Sequence, residues 1–125
     1  MRVAMDANAL MMPVEVGVRV FDELDRLLGT YECVVPEVVR EELSKLSGSG
    51  GDEGRAANVA LDLAEDCTTV ETDESYADDA IFELAASGEV DTVVTNDAPL
   101  RERLLDAGVP VIHLRGRNQL IRTQP

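Results

Sequence analysis

The sequence predicts an α/β protein with a mostly parallel sheet covered by helices on both faces. Three observations carry that prediction. Short apolar runs alternate with longer amphipathic stretches along nearly the whole chain. No internal repeat and no second composition regime divides the 125 residues, a length that suits one domain (1–125) with one core. Two of the apolar runs, "RVAM" and "DTVVT", lead into acids, the first directly into Asp6 and the second, across Asn96, into Asp97. In open parallel sheets, ligands sit beyond the carboxyl ends of the strands, so both acids fall at one functional edge.

The elements follow in order. "RVAM" reads as a buried strand. "VRVFDELDRLLG" repeats apolar residues at helical spacing and stops at Gly29. "YECVV" is a second strand, and Pro36 opens the helix "PEVVREELSKL". "SGSGGDEG" reads as a flexible loop. "RAANVALDLAEDC" is a helix, "TTVET" a strand, and "SYADDAIFELAASG" a helix ended by Gly88. "DTVVT" is a strand, "DAPLRERLLDAG" a helix, and "VPVIHL" the final strand, with a short polar tail at about 115–125.

Composition narrows the classes. Apolar residues make up 45% and charged residues 29%, which is globular rather than disordered. No apolar run approaches the roughly 18–20 residues that span a bilayer, and no secretory leader is visible, so a cytoplasmic location without membrane contact is expected. Cys33 and Cys67 form no CxxC motif and are expected as free, mostly buried thiols. The net charge is −14. Self-repulsion and hydration of that kind keep a protein soluble at high salt, which points to a salt-loving host. The charge is uneven: residues 1–100 carry net −17, residues 101–125 net +3. Arg101, Arg103, Arg115, Arg117 and Arg122 make up the basic end, either as phosphate contacts or as ordinary surface solvation.

Among 25 acids, helix geometry selects which point inward. In "PEVVREELSKL" Glu42 falls about 40° from Val38, inside the apolar arc, whereas Glu41 falls outside it, one turn before Lys45. In the later helix Asp78 shares the stripe of Ile81, Phe82, Leu84 and Ala85, and Asp79 shares the side of Glu83. Each acid has an ordinary structural alternative. Asp6 suits an Asx turn, Asp97 a helix cap, Asp78 a capping box with Ser75, and Glu42 a carboxylate reaching solvent. Four such groups meeting without a counter-charge would repel. A divalent cation bound by oxygen alone, Mg²⁺ or Mn²⁺, is the natural counter-charge. The lone His113, among apolar strand residues, is expected to be packed and hydrogen-bonded.

Taken together, "MDANALMMP", "VVPEVVREELSKL", "ADDAIFELA", "VVTNDAPLRERL" and "GVPVIHLRGRNQL" resemble the PIN domain family, in order and over nearly the whole chain. The likeness is nearest to small stand-alone archaeal PIN proteins, which are similar to a nuclease of ribosomal RNA maturation, and more distant to VapC toxins. It implies a three-layer α/β/α sandwich with a central mostly parallel sheet. It also implies a metal-dependent endoribonuclease that leaves a 5′-phosphate and a 3′-hydroxyl. Matched by motif, the implied catalytic and metal-binding acids are Asp6, Glu42, Asp78 and Asp97, with Asn8 and Thr95 in support and Asp79 in reserve. The resemblance further implies an RNA substrate in ribosomal or transfer RNA processing or in a toxin role, a homodimer, and an antitoxin or RNA-processing partner.

Two other classes compete. A haloacid-dehalogenase-type phosphatase needs a second acid two residues after the first, where this chain has Asn8, and a lysine near the late acids, where it has none. A non-catalytic binding module on the same fold has no need of all four acids.

Overall fold

The computed structural model describes residues 1–125. Its centre is β1 (Arg2–Met5), in which Val3, Ala4 and Met5 are wholly buried. A strand apolar on both faces is stable only with helices above and below it. α1 (Ala7–Glu15) follows at once, then α2 (Val20–Leu28) and β2 (Glu32–Pro36). α3 (Glu37–Ser47) and α4 (Gly51–Ala64) precede β3 (Thr68–Val70). α5 (Ala77–Ala86), β4 (Thr92–Val94), α6 (Ala98–Asp106) and β5 (Val111–Arg115) alternate to the last strand, β6 (Gln119–Thr123). The six strands lie in the order β3-β2-β1-β4-β5-β6. All pairs are parallel except β5–β6, which is antiparallel. Helices flank the sheet in a three-layer α/β/α sandwich, as the sequence predicts.

The topology fixes the site before any side chain is considered. From β1 the chain winds outward through β2 to β3, then returns to place β4 on the other side of β1. The order therefore reverses between β1 and β4, and a crevice opens beyond the carboxyl ends of strands at such a point. The register pairs Met5 with Val94, so the next residues along, Asp6 and Thr95, are neighbours at that crevice.

Three readings of the chain are corrected. α1 was absent from the sequence reading because Ala7, Ala9, Leu10, Met11 and Met12 are all buried, giving the segment an apolar run instead of a stripe, and because Pro13 sits inside it. The segment read as a flexible loop contributes Gly51–Gly54 to α4. Asp52 and Glu53 in the first turn favour that helix start through its dipole. Gly54 permits close packing there: a Cβ at this position would stand 3.3 Å from the Ser47 carbonyl oxygen at the end of α3. VPVIHL is not the final strand. Residues 119–123 of the supposed tail form β6, with Leu120 wholly buried. Glu23 Oε1 accepts from the Leu120 amide at 2.9 Å and Arg26 donates to its carbonyl at 2.9 Å, so α2 covers part of this edge strand.

The cysteines are also corrected. Cys33 and Cys67 form a disulfide, with Cα atoms 4.7 Å apart. The β2–β3 register pairs Val34 with Thr68 and so sets the preceding residues side by side. Two helices separate these strands in sequence, and the adjacency was invisible there. The bond closes a separation of 34 residues. Its reduction, or Cys67→Ser, is expected to lower unfolding free energy by about 2–4 kcal/mol. Denaturant melts with and without reductant check this.

Candidate functional site

Asp6 is the residue on which the site is built. It caps α1, with its Oδ1 accepting from the Ala9 amide at 2.8 Å. Its Oδ2 accepts a short hydrogen bond from the Thr95 hydroxyl. Thr95 Oγ1 in turn accepts from the Asp97 amide at 3.1 Å. Asp97 caps α6, its Oδ1 accepting from the Leu100 amide at 2.9 Å. One hydroxyl thus ties together the ends of β1 and β4 and the starts of two helices. Cap and ligand are compatible roles, because each carboxylate oxygen has a second lone pair.

Asp6 is 5% exposed, a poor place for a charge. Burial raises its pKa to about 6, with Asp78 and Asp97 pushing in the same direction and the bonds from Thr95 and Ala9 opposing. Asp78 is raised by burial of its carboxyl first and by Asp97 next, with Arg103 opposing. Glu42 is raised by burial first, then by Asp78. Asp6 thus feels Asp78 and Asp97, Asp78 feels Asp97 and Asp79, and Glu42 feels Asp78 alone among the acids.

The inward orientation expected of Glu42 and Asp78 is corrected: both residues are exposed. Rotation about a helix gives the side a residue faces, and not whether anything covers it. Asp79, expected to face away, is the half-buried member of the pair, held by Arg103 at 3.0 Å. No three acidic, histidine or cysteine side chains stand close enough together to hold an ion as they are.

The donor set nonetheless fits a hard divalent cation. It is all oxygen, and its buried member carries a raised pKa that nearby positive charge would relieve. Arg103 does not fill that role for Asp6: it pairs with Asp79 and lies over the Phe82 ring at 4.4 Å. Asp6 and Asp97 are the fixed ligands such an ion would find, and Asp78 and Glu42 the solvent-facing ones.

The remaining predicted residues divide. Asn8 is exposed and lines an open cleft of about 360 Å³ running along α1 to Glu15. It makes no hydrogen bond to the acids. Of the basic residues, Arg103 is already engaged and Arg122 is half-buried on β6. Arg101, Arg115 and Arg117 have no ion-pair partner. Arg101 stands in the first turn of α6 and Arg115 ends β5, a strand parallel to β4, so both belong to the edge that carries Asp97. Both ring nitrogens of His113 are engaged, with the Leu114 carbonyl at 3.2 Å and Thr123 Oγ1 at 2.7 Å, as expected for a packed histidine.

Asn96 was missed. Its Oδ1 accepts from the Leu114 amide at 2.8 Å and its Nδ2 contacts Met12 Sδ at 3.1 Å, pinning the loop that carries Asp97 to β5 and α1. Its signal was its place between Thr95 and Asp97, both already chosen.

The fold and the site together define an α/β protein with acids at a switch point. The model for the PIN like domain family matches residues 3–117. The chain belongs to that family. It is similar to ribonuclease VapC4 of Methanocaldococcus jannaschii, 32% identical over 118 residues covering 91% of this chain and 90% of that protein. In structure it is similar to the PIN domain endonuclease Utp24, with a TM-score of 0.79 at 24% identity, over 98% of this chain and 92% of that one. A domain of a Methanocaldococcus jannaschii protein of unknown function follows, with a TM-score of 0.69 at 16% identity over 99% and 98%. VapBC2 from Rickettsia felis, solved bound to a DNA fragment from its promoter, gives a TM-score of 0.58 at 12% identity over 92% and 100%. No helix is long and apolar enough to cross a membrane.

A stability prediction follows from Asp6. Its folded pKa lies above the ordinary aspartate value of 3.8, so the folded state holds the extra proton between about pH 4 and 6. The group therefore costs stability above pH 6, and the cost vanishes as pH falls below 4. Asp6→Asn keeps an acceptor for Ala9 and removes the charge. The metal-free variant is expected to be about 1–3 kcal/mol more stable than the parent at pH 8, with no gain at pH 4. Urea titrations in EDTA at the two pH values check this.

Proposed function

We propose that this protein is a Mg²⁺- or Mn²⁺-dependent endoribonuclease acting in the processing of ribosomal or transfer RNA. One observation carries the reading. A buried carboxylate, Asp6, is held at the β1–β4 switch point and joined to Asp97 through Thr95. A charge confined at 5% exposure is costly to stability. Such a group is expected where chemistry needs it. The ribonuclease name of the VapC4 relative, at 32% identity, supports the choice of RNA.

A bound divalent ion supplies Lewis-acid polarisation of the phosphate and activation of water. The chain's own groups hold and orient. Asp6 is fixed through both oxygens, by the Ala9 amide and the Thr95 hydroxyl, and Asp97 through Oδ1 by the Leu100 amide. Asp78 and Glu42 complete the anionic rim from the exposed side. Thr95 is the positioning residue, since its hydroxyl donates to one acid and accepts from the backbone of the other. Arg101, Arg115 and Arg117 are the cations available for substrate phosphates on an otherwise acidic body. Those contacts weaken steeply with salt.

A toxin-type ribonuclease with an antitoxin partner is the second reading, favoured by the VapC4 name. A homodimer belongs to both readings. In either case cleavage is the first test. The wild type with Mn²⁺ is expected to cut structured RNA and leave 5′-phosphate ends. Asp6→Asn and Asp97→Asn are each expected to lose at least about 100-fold in rate, an electrostatic loss of about 3 kcal/mol or more. Retained cleavage in both variants, or equal cleavage in EDTA, refutes the assignment. Arg115→Ala combined with Arg117→Ala is expected to raise KM and flatten the salt dependence of binding; unchanged binding removes these arginines from the account.

A further inference from the structure

The further inference rests on the ribonuclease reading and concerns how the strand is held. The chain has two tyrosines, two phenylalanines and no tryptophan. Phe21, Tyr31 and Phe82 pack against the core. Tyr76 does not: it is 75% exposed, far more than Met1 or Val16, the other large apolar side chains in solvent.

Its position is specific. Tyr76 is the N-cap residue of α5, with an extended backbone, and its carbonyl accepts from the Ala80 amide at 2.9 Å. The helix is therefore anchored directly behind it while the ring projects outward. Asp78 stands two residues on, in the first turn of the same helix, and is electrostatically coupled to Asp6 and Asp97. The exposed aromatic and the acids thus share the end of α5.

The surroundings select the occupant. A protein-docking aromatic normally lies in a contiguous apolar patch with other anchors. The exposed residues flanking Tyr76 along the chain are Asp73, Glu74, Ser75 and Asp78, and none is apolar. A lone ring with a polar, acceptor-rich rim suits a planar group with its own amino and imino donors, which describes an unpaired nucleobase. The net charge gives a second argument. At −14 the body repels phosphates, and few free cations oppose this. Stacking is uncharged, so it supplies affinity that neither the protein's sign nor high salt removes.

We propose that the Tyr76 ring is a stacking platform for an unpaired base of single-stranded RNA and positions the strand across the acids at Asp78, Asp6 and Asp97. Tyr76 touches substrate in this arrangement without taking part in bond cleavage.

The experiment uses Tyr76→Trp, which gives the chain a single tryptophan. Titration with a short single-stranded oligoribonucleotide, in EDTA and again with Mg²⁺, is expected to quench its fluorescence saturably. A duplex of the same sequence is expected to quench it far less. Tyr76→Ala is expected to weaken oligonucleotide binding by roughly 5- to 100-fold, to raise KM with kcat changed less than about twofold, and to leave the salt slope of binding unaltered. Tyr76→Phe is expected to retain binding. Binding by Tyr76→Ala equal to wild type, or a tryptophan blind to RNA that does bind, overturns the proposal. So does a change in oligomeric state on sedimentation of Tyr76→Ala, which would mark the ring as a protein contact. Quenching is read without turnover, so a catalytically inert wild type would refute the ribonuclease reading and leave the stacking result standing by itself.

Discussion

The hydrogen bond from the Thr95 hydroxyl to the Asp6 carboxylate is the constraint around which the structure is arranged. It joins the ends of the two central strands at the one place where strand order reverses. Everything that positions this pair is ordinary folding physics. β1 and β4 are buried and apolar because helices cover both faces, and their register makes Asp6 and Thr95 neighbours. The amides at the starts of α1 and α6 then orient the two carboxylates. A buried acid is tolerated because three donors are spent on it and its partner.

That tolerance is incomplete, and the remainder is informative. Hydrogen bonds lower the pKa of Asp6, yet burial and two neighbouring acids leave it at about 6. Arg103, whose charge reaches Asp78, is held by Asp79 and lies over the Phe82 ring. Arg103 tempers Asp78 and leaves Asp6 without a cation of its own. Strain of this kind at a site is the usual companion of function.

Much of this was legible in the sequence, and for identifiable reasons. β1 and β4 could be read because apolar runs ending at acids have few other interpretations in an α/β chain. Asp6 and Asp97 followed from strand ends alone, and Thr95 from the family resemblance. Rotation placed Glu42 and Asp78 on the apolar arcs of their helices, but both are exposed, because depth depends on neighbouring elements that local periodicity does not encode. α1 was hidden by burial on most sides, and β6 by its polar residues at the sheet edge. The Cys33–Cys67 bond depends on β2–β3 adjacency, which is a property of the topology alone. Asn96 and Tyr76 carried no periodic signal; one acts through backbone contacts and the other through its lack of them.

The central claim is that the pocket at Asp6 and Asp97 exists to hold a divalent ion. Anomalous diffraction from a crystal soaked in Mn²⁺ tests it most directly. The account predicts a single strong peak within oxygen-ligand distance of both carboxylates, roughly 2.0–2.3 Å, with Asp78 or Glu42 turned toward it. A saturating soak with no peak there, or with manganese bound only at acids elsewhere on the surface, would contradict it.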